Sequence, residues 1–439
     1  MHRSVMPAFV AGIACFSLAA QGHTPLVLRT GGFVNGAAPQ PLFTADRLIV
    51  RFRQEVDDEA VRQLAAAAGV ELVDRGLDGT FHVFRGPREL VEAMVAWFAE
   101  QPGVAYAERD AMAHTATPPN DSLWSYQWSF FNAGSPSGTS TSNFGVEAEA
   151  AWTTNGADGT GVVVAVVDSG VAYENFGAFA LAPDLNGRPF VSPYDAVTGD
   201  GHANDENSHG THVSGTIGQV TNNALGCAGI ARACTIMPVR VLDAAGSGAH
   251  AWIANGITHA VNNGAKVINM SLGGGAGSTT LQNAVVAAAN AGLTICAAPG
   301  NTSRKGVQYP AAYSQCIAVG ATRFDGNRSR YATYGTGIDV VAPGGDTSVD
   351  QNGDGYADGI LQQTFASGAP TSFGYYFFQG TSMATPHVSA VAALVRQRHP
   401  TWTAAQVRSA IESTCTDRGT AGYDTTYGYG IVNARLASQ

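Results

Sequence analysis

The sequence predicts an α/β protein in two folded parts: a larger unit of three layers, with a mainly parallel sheet between helices, and a small α+β unit before it. Three observations point there. Charge density divides the chain, with 13 acidic and 8 basic residues in the 65 positions of 46–110 but only 35 charged residues in the 329 positions of 111–439. Beyond residue 161, short runs apolar on both faces, at 162–167, 235–241, 267–270, 293–298, 316–319 and 338–341, alternate with helical patterns. Such runs suit parallel strands covered on both sides. Within 46–110 the apolar period switches between strand and helix spacing, in the order strand, helix, strand, strand, helix, strand.

Taken from the start, Met1, His2 and Arg3 precede a mostly apolar run at 6–20, too short to span a bilayer and shaped like a secretory signal. The expectation is a cleaved signal over 1–20, no stable membrane anchor, and a secreted protein. A linker over 21–45 leads to the charged segment 46–110. There Leu48, Val50 and Phe52 alternate as a strand, 56–68 reads as a helix, Leu72 and 81–84 mark two strands, 89–98 a helix and 104–106 a last strand. This βαββαβ order is that of ferredoxin-like domains. Small residues ending in Pro118 and Pro119 make a second linker over 111–119, and the larger unit occupies 120–439. Within it, the Ser/Gly/Thr stretch at 134–142 reads as a loop.

Composition excludes whole classes of function. Hydrophobic residues make up 45% of the 439 and charged residues 13%, against about 25% charged in ordinary soluble domains, so a disordered acidic chain is ruled out. The net charge is −10, and the only lysines are Lys266 and Lys305. No basic stripe is available for phosphate contacts, and nucleic-acid binding is not expected.

Three motifs carry chemistry. Val164 to Val167 form an apolar strand that ends in Asp168, Ser169 and Gly170. A carboxylate held there, partly buried, can accept a proton from an imidazole. His209-Gly210-Thr211-His212 begins a helix of small residues, and Gly380-Thr381-Ser382-Met383 opens another that runs to about Arg396. A serine at a helix N-terminus lies where peptide dipoles favour developing negative charge. It remains a poor nucleophile without a base in reach and a third group to orient that base. No serine has Gly both two before and two after it, the pattern a lipase or esterase would show.

Asp, His and Ser motifs in this order, each with glycine and small neighbours, resemble the subtilisin-like serine peptidases over about 120–437. The resemblance implies a subtilisin-like catalytic domain, with Asp168 as orienting carboxylate, His209 as general base and then acid, and Ser382 as nucleophile. His212 and His387 are other candidates for the base, and the resemblance makes them structural. It also implies Asn301 as side-chain donor to the oxyanion, with the backbone N–H of Ser382 as the second. Pro299, where these peptidases more often carry a small residue, alters the strand end beside the primary pocket. Gly246, Ser247 and Gly248 on one side, and Ser271, Leu272 and Gly273 on the other, resemble the segments between which an extended substrate is added as a strand. Gln308 resembles the position at the base of the primary pocket, and its neutral amide argues against a demand for charged residues.

Calcium is the expected cofactor. Asp350, Asn352, Asp354, Tyr356 and Asp358 follow the spacing of a calcium loop, although Leu361 stands where an EF-hand has its glutamate. A second site is implied by the resemblance alone, from Asp121, Asp184 and Asn223 with the carbonyls of Thr221, Leu225 and Cys227. With Cys15 lost in the signal, Cys227, Cys234, Cys296, Cys316 and Cys415 remain, an odd number. In an oxidising compartment disulfides are expected, with Cys227–Cys234 and Cys296–Cys316 as open alternatives. The segment 46–110 resembles the inhibitory pro-region of these enzymes, cut between 111 and 118 by the enzyme itself. The whole reads as a secreted, monomeric serine endopeptidase acting on protein and peptide substrates, with its own pro-domain as intramolecular inhibitor. The rival reading is a catalytically silent relative that binds peptides or partners.

Overall fold

The computed structural model describes residues 43–77, 79–111, 118–132, 142 and 144–439. The expected signal over 1–20, most of the first linker, residues 112–117 of the second linker and nearly all of the 134–142 loop lie outside the described residues.

The smaller unit contains β1 (Phe43–Phe52), α1 (Asp58–Ala68), β2 (Glu71–Arg75), β3 (His82–Arg85), α2 (Val91–Ala99) and β4 (Val104–Ala111). Its sheet runs β2-β3-β1-β4, with every neighbouring pair antiparallel. That is the βαββαβ arrangement read from the sequence. Asp57 caps α1 by accepting from the Ala60 N–H at 2.8 Å, and Gly69 closes it in the left-handed conformation at φ 68°. Alternation along β1 buries Leu48 and Val50 completely, and they pack with Phe84 and Phe98, whose rings stack at 4.9 Å.

The larger unit opens with α3 (Ala148–Asn155), β5 (Val163–Asp168), β6 (Tyr194–Asp195), α4 (His209–Gly218), β7 (Thr235–Arg240) and α5 (His250–Asn262). It continues with β8 (Val267–Met270), α6 (Thr279–Asn290), β9 (Thr294–Ala297), β10 (Cys316–Thr322) and β11 (Val340–Pro343). After the hairpin β12 (Ile360–Phe365) and β13 (Phe373–Phe378) come α7 (Thr381–Arg398), α8 (Ala404–Ser413) and α9 (Ala434–Ala437). Seven strands form one sheet in the order β11-β10-β9-β8-β5-β7-β6, and every pairing in it is parallel. Alternate residues of β5 explain why its apolar run is continuous. Val164 and Val166 pack with Val213 of α4 and Val388 and Val391 of α7, whereas Ala165 and Val167 pack with Ile253 and Ile257 of α5.

The same alternation corrects the disulfide expectation, for all five described cysteines are free thiols. Cys296 on β9 stands opposite Ile317, and Cys316 on β10 stands opposite Ile295. Cys296 therefore faces one core and Cys316 the other, across the sheet. Cys227 packs with Leu123 and Tyr375, while Cys234 belongs to the core around α7.

Where β5 ends, backbone meets backbone. A Cβ on Gly210, the second residue of α4, would stand 2.1 Å from the carbonyl oxygen of Gly170. Gly210→Ala should therefore force α4 away from the end of β5, lowering stability by about 1–3 kcal/mol as overpacked sites do. A fall in the urea midpoint with an unchanged m-value is the expected readout, and an unshifted midpoint would contradict this packing.

Candidate active site

Parallel strands bring their carboxyl ends to one edge, and the expected residues gather there. Asp168 is the last residue of β5, and Ser271 directly follows β8, its neighbour. The register pairs Val164 with Val267 and Val166 with Asn269. Continued two residues, it sets Asp168 level with Ser271 across a strand spacing of about 4.8 Å. His209 begins α4 and donates from Nδ1 to Asp168 Oδ1 at 2.7 Å. A carboxylate only accepts, so the Nδ1 proton is set by this contact and Nε2 is left with its lone pair. Asp168 also accepts from the Ser169 N–H at 2.7 Å, and Oδ2 is buried without a hydrogen-bond partner among the described residues.

Burial of His209 disfavours its charged form, yet the Asp168 carboxylate, by charge and hydrogen bond, and Asp205 beyond it, more than offset this. The imidazole is left holding its proton above the ordinary histidine value. The other imidazoles turn inward. His212 Nε2 lies 3.0 Å from the carbonyl oxygens of Ile360 and Tyr376, with its ring stacked on Phe378 at 4.3 Å. His387 bonds the Met383 carbonyl at 2.8 Å inside α7, and burial lowers it to about 4.

Ser382 is the second residue of α7. Its hydroxyl donates to the Ser271 carbonyl at 3.0 Å, and among the described residues no hydrogen bond joins it to His209. In return Ser271 Oγ donates to the Ser382 carbonyl at 2.8 Å. Pro386 explains that exchange, because it has no N–H to give the carbonyl four residues before it. Asn301, exposed after β9, is held by its oxygen: Oδ1 accepts from both the N–H and the hydroxyl of Thr381 at 3.0 Å. A Cβ on Gly380 would lie 3.4 Å from Asn301 Nδ2 and 3.5 Å from the Ser382 nitrogen, so two N–H-bearing groups border one small space.

The two segments expected to take substrate keep open backbone. Among the described residues, Leu272, Gly273 and Gly248 form no backbone–backbone hydrogen bonds. Gly246 and Ser247 are turned by Asp243, which accepts from the Ser247 N–H at 2.9 Å. Gln308 Oε1 is buried without a partner among the described residues, 2.2 Å from where a Cβ on Gly300 would be and 3.5 Å from one on Gly273. The amide therefore lies between these two glycine-bearing segments.

Asp121 and Asp184 are buried together near Asn223 and Cys227. Asp184 accepts from Asn223 Nδ2 at 2.7 Å, the Cys227 N–H at 2.9 Å and the Tyr375 hydroxyl at 3.2 Å. Asp121 Oδ1 has no partner among the described residues, and burial pushes its carboxyl up to about 6, with that of Asp184 pushed well above the ordinary value. In the 350–358 loop the carboxylates are engaged by nearby backbone. Asp350 accepts from the N–H groups of Gly353 and Gly355, Asp354 from that of Tyr356, and Asp358 Oδ2 from that of Gln351. Among the described residues no three His, Cys, Asp or Glu side chains form a group able to hold a metal ion.

Sequence reasoning missed Thr381 as the anchor of Asn301 and the hairpin β12–β13, whose Thr364 donates to the Ser208 carbonyl at 2.6 Å just before His209. The threonine was visible beside Ser382 in Gly380-Thr381-Ser382, but its partner lies 80 residues away.

Comparisons with known proteins identify the family. The model of the subtilase family matches residues 159–430, and that of the fervidolysin N-terminal prodomain matches 32–110. Subtilisin E of Bacillus subtilis is 38% identical over 354 residues, 80% of this chain and 79% of that protein. Subtilisin Savinase of Lederbergia lenta is 40% identical over 284 residues, 65% of this chain and 93% of that protein. A solved structure described as proteases from Pseudoalteromonas arctica superposes with a TM-score of 0.64 at 34% identity, covering 73% of this chain and 99% of that one.

The His209–Asp168 contact yields a direct expectation. In NMR titrations the His209 ring should lose its proton above pH 6.5, the ordinary histidine value, and Asp168→Asn should move that midpoint down as burial then dominates. An unchanged midpoint in the variant would contradict the contact.

Proposed function

The chain belongs to the subtilase family and is a serine-type endopeptidase with an N-terminal prodomain, and from that premise we propose that it is a secreted zymogen acting through an acyl-enzyme on Ser382. One observation carries the reading: Asp168 orients His209 at 2.7 Å, at the sheet edge where Ser382 hangs from Ser271. Rotation of the serine side chain about Cα–Cβ exchanges the Ser271 carbonyl for His209 Nε2. Such catalytic contacts commonly tighten only once substrate is bound. Ser382 Oγ then attacks the peptide carbonyl while its proton passes to Nε2, and the imidazolium is stabilised by Asp168. The oxyanion is met by Asn301 Nδ2 and the Ser382 N–H. His209 returns the proton to the leaving amine, and water releases the acyl group by the same path.

Substrate enters as an extended strand between 246–248 and 271–273, where open backbone groups favour recognition by main chain over sequence. Gln308 gives the primary pocket a neutral lining suited to uncharged side chains. Residues 46–110 act as the inhibitory pro-domain, cut by the enzyme between 111 and 118 after a signal over 1–20 has been removed. Among the described residues no helix is long and apolar enough to cross a membrane, and secretion is supported by the leader and by the likeness to subtilisins.

Calcium fits the larger unit. Two buried carboxylates, with Asp184 pushed up by burial and by the charge of Asp121 and with Asp121 Oδ1 unpartnered among the described residues, suit a hard cation taken up by oxygen. Asp121, Asp184, Asn223 and the carbonyls of Thr221, Leu225 and Cys227 would hold it. The 350–358 loop would hold a second, with Asp350, Asn352, Asp354, Tyr356 and Asp358 as ligands, for Asp358 Oδ1 is also buried and unpartnered among the described residues. The ions' role is structural, tying loops together.

Two experiments test this reading. Ser382→Ala should abolish proteolysis and leave 46–110 attached in cells producing no other protease, whereas normal trimming would exclude self-processing. Adding a calcium chelator should accelerate thermal inactivation, and Asp184→Ala should show the same loss with calcium present. Inactivation rates that ignore both would remove calcium from the account.

A further inference from the structure

We propose that Asp205 is a second positioning carboxylate of this site, fixing the turn that presents His209 and placing a further negative charge behind the imidazole when it is protonated. The inference rests on His209 acting as the base. It begins from the entry to α4, where Ser208, the residue before His209, has φ 88° and ψ −17°. That left-handed conformation is uncommon for any residue other than glycine and persists only where neighbours hold it. Ser208 makes no side-chain cap, so the open N–H groups of the first turn go elsewhere. The Gly210 N–H donates to Ser169 Oγ at 3.0 Å, and the Thr211 N–H to Asp205 Oδ2 at 2.9 Å.

Asp205 is 1% exposed and accepts five hydrogen bonds. Oδ1 takes Ser169 Oγ at 2.9 Å and the N–H groups of Asn207 at 2.8 Å and Ser208 at 3.0 Å. Oδ2 takes the N–H of Thr211 at 2.9 Å and its hydroxyl at 2.7 Å. Burial pushes the Asp205 carboxyl above its ordinary value, while five donors on two oxygens oppose this and favour the ionised form, since a neutral acid would aim its own O–H at one of them. One buried charge thus grips Ser169, next to Asp168, and Ser208, next to His209. It locks both halves of the Asp168–His209 pair to each other.

The charges around the ring are few. Asp168 faces it from β5, and Asp205 adds a weaker attraction from the preceding loop. Glu206 turns to Arg240, which also bonds Asp195 at 2.9 Å. On α4 itself His212 points to the hairpin carbonyls, while α7 and the hairpin bring the uncharged Ser382 and Thr364. Among the described residues Asp205 therefore has no cationic side chain of its own, and the imidazolium formed during the reaction is the positive charge it can serve.

Asp205→Asn keeps the shape and removes the charge. In the processed protein, kcat for a peptide substrate should fall by about tenfold or more with KM within about twofold, and the acid limb of kcat/KM should move to lower pH. A wild-type kcat with an unmoved acid limb, or a loss confined to KM, overturns the proposal. Should that variant fail to fold, Ser169→Ala cuts the link to Gly210 while keeping the charge. Lower kcat with the acid limb in place is then expected, and an unchanged kcat overturns the proposal. His209→Ala runs in parallel: activity retained there overturns the base assignment itself, whereas activity lost there but kept in Asp205→Asn overturns the role of Asp205 alone.

Discussion

The hydrogen bond between Asp168 and His209 is the interaction on which the larger unit turns. It joins the end of the central strand β5 to the first residue of α4 at 2.7 Å, with Asp168 fully buried. A buried carboxylate is costly unless its lone pairs are used, and Oδ1 of this one is used by Ser169 and by the imidazole. The same burial that would strip a proton from His209 is outweighed by the charge beside it. The imidazole keeps its affinity for a proton, unlike the buried core histidine His387, which burial pushes down.

Sheet topology then decides what that pair can act on. With β8 beside β5, Ser271 brings the opening of α7 to the same edge, and Pro386 frees the Ser382 carbonyl so that two serines are cross-linked there. Thr381 holds the oxygen of Asn301, and the amide nitrogen borders the small space beside Gly380 where we propose that the oxyanion forms. None of these contacts is local in sequence. The fold supplies what short motifs cannot: approach distances between residues more than 40 positions apart.

Much of this was legible in advance because it is written in short runs. The strands of the large sheet are continuous apolar stretches, and Asp168, His209 and Ser382 each stand where a strand or loop hands over to the next element. The small unit's order followed equally from its periodicity. What stayed hidden depends on long-range geometry or on buried polarity. The hairpin β12–β13 buries Gln362, Gln363 and Thr364 completely or nearly so, which no apolar pattern reveals. Their amide nitrogens donate to the Ala228 carbonyl and the Tyr375 hydroxyl. The cysteine alternatives failed for the same reason, since adjacency of strands says nothing about which face a side chain takes. In the 350–358 loop, spacing marked the acidic residues but could not show that nearby backbone N–H groups would claim several of their oxygens.

The account's central claim is that Ser382 is made nucleophilic by His209. Its most direct test is to treat the processed protein with a fluorophosphonate and locate the adduct by tandem mass spectrometry. A single adduct on Ser382, absent in His209→Ala, is the result the account predicts. Labelling at another residue, or equal labelling of Ser382 without the imidazole, would contradict it.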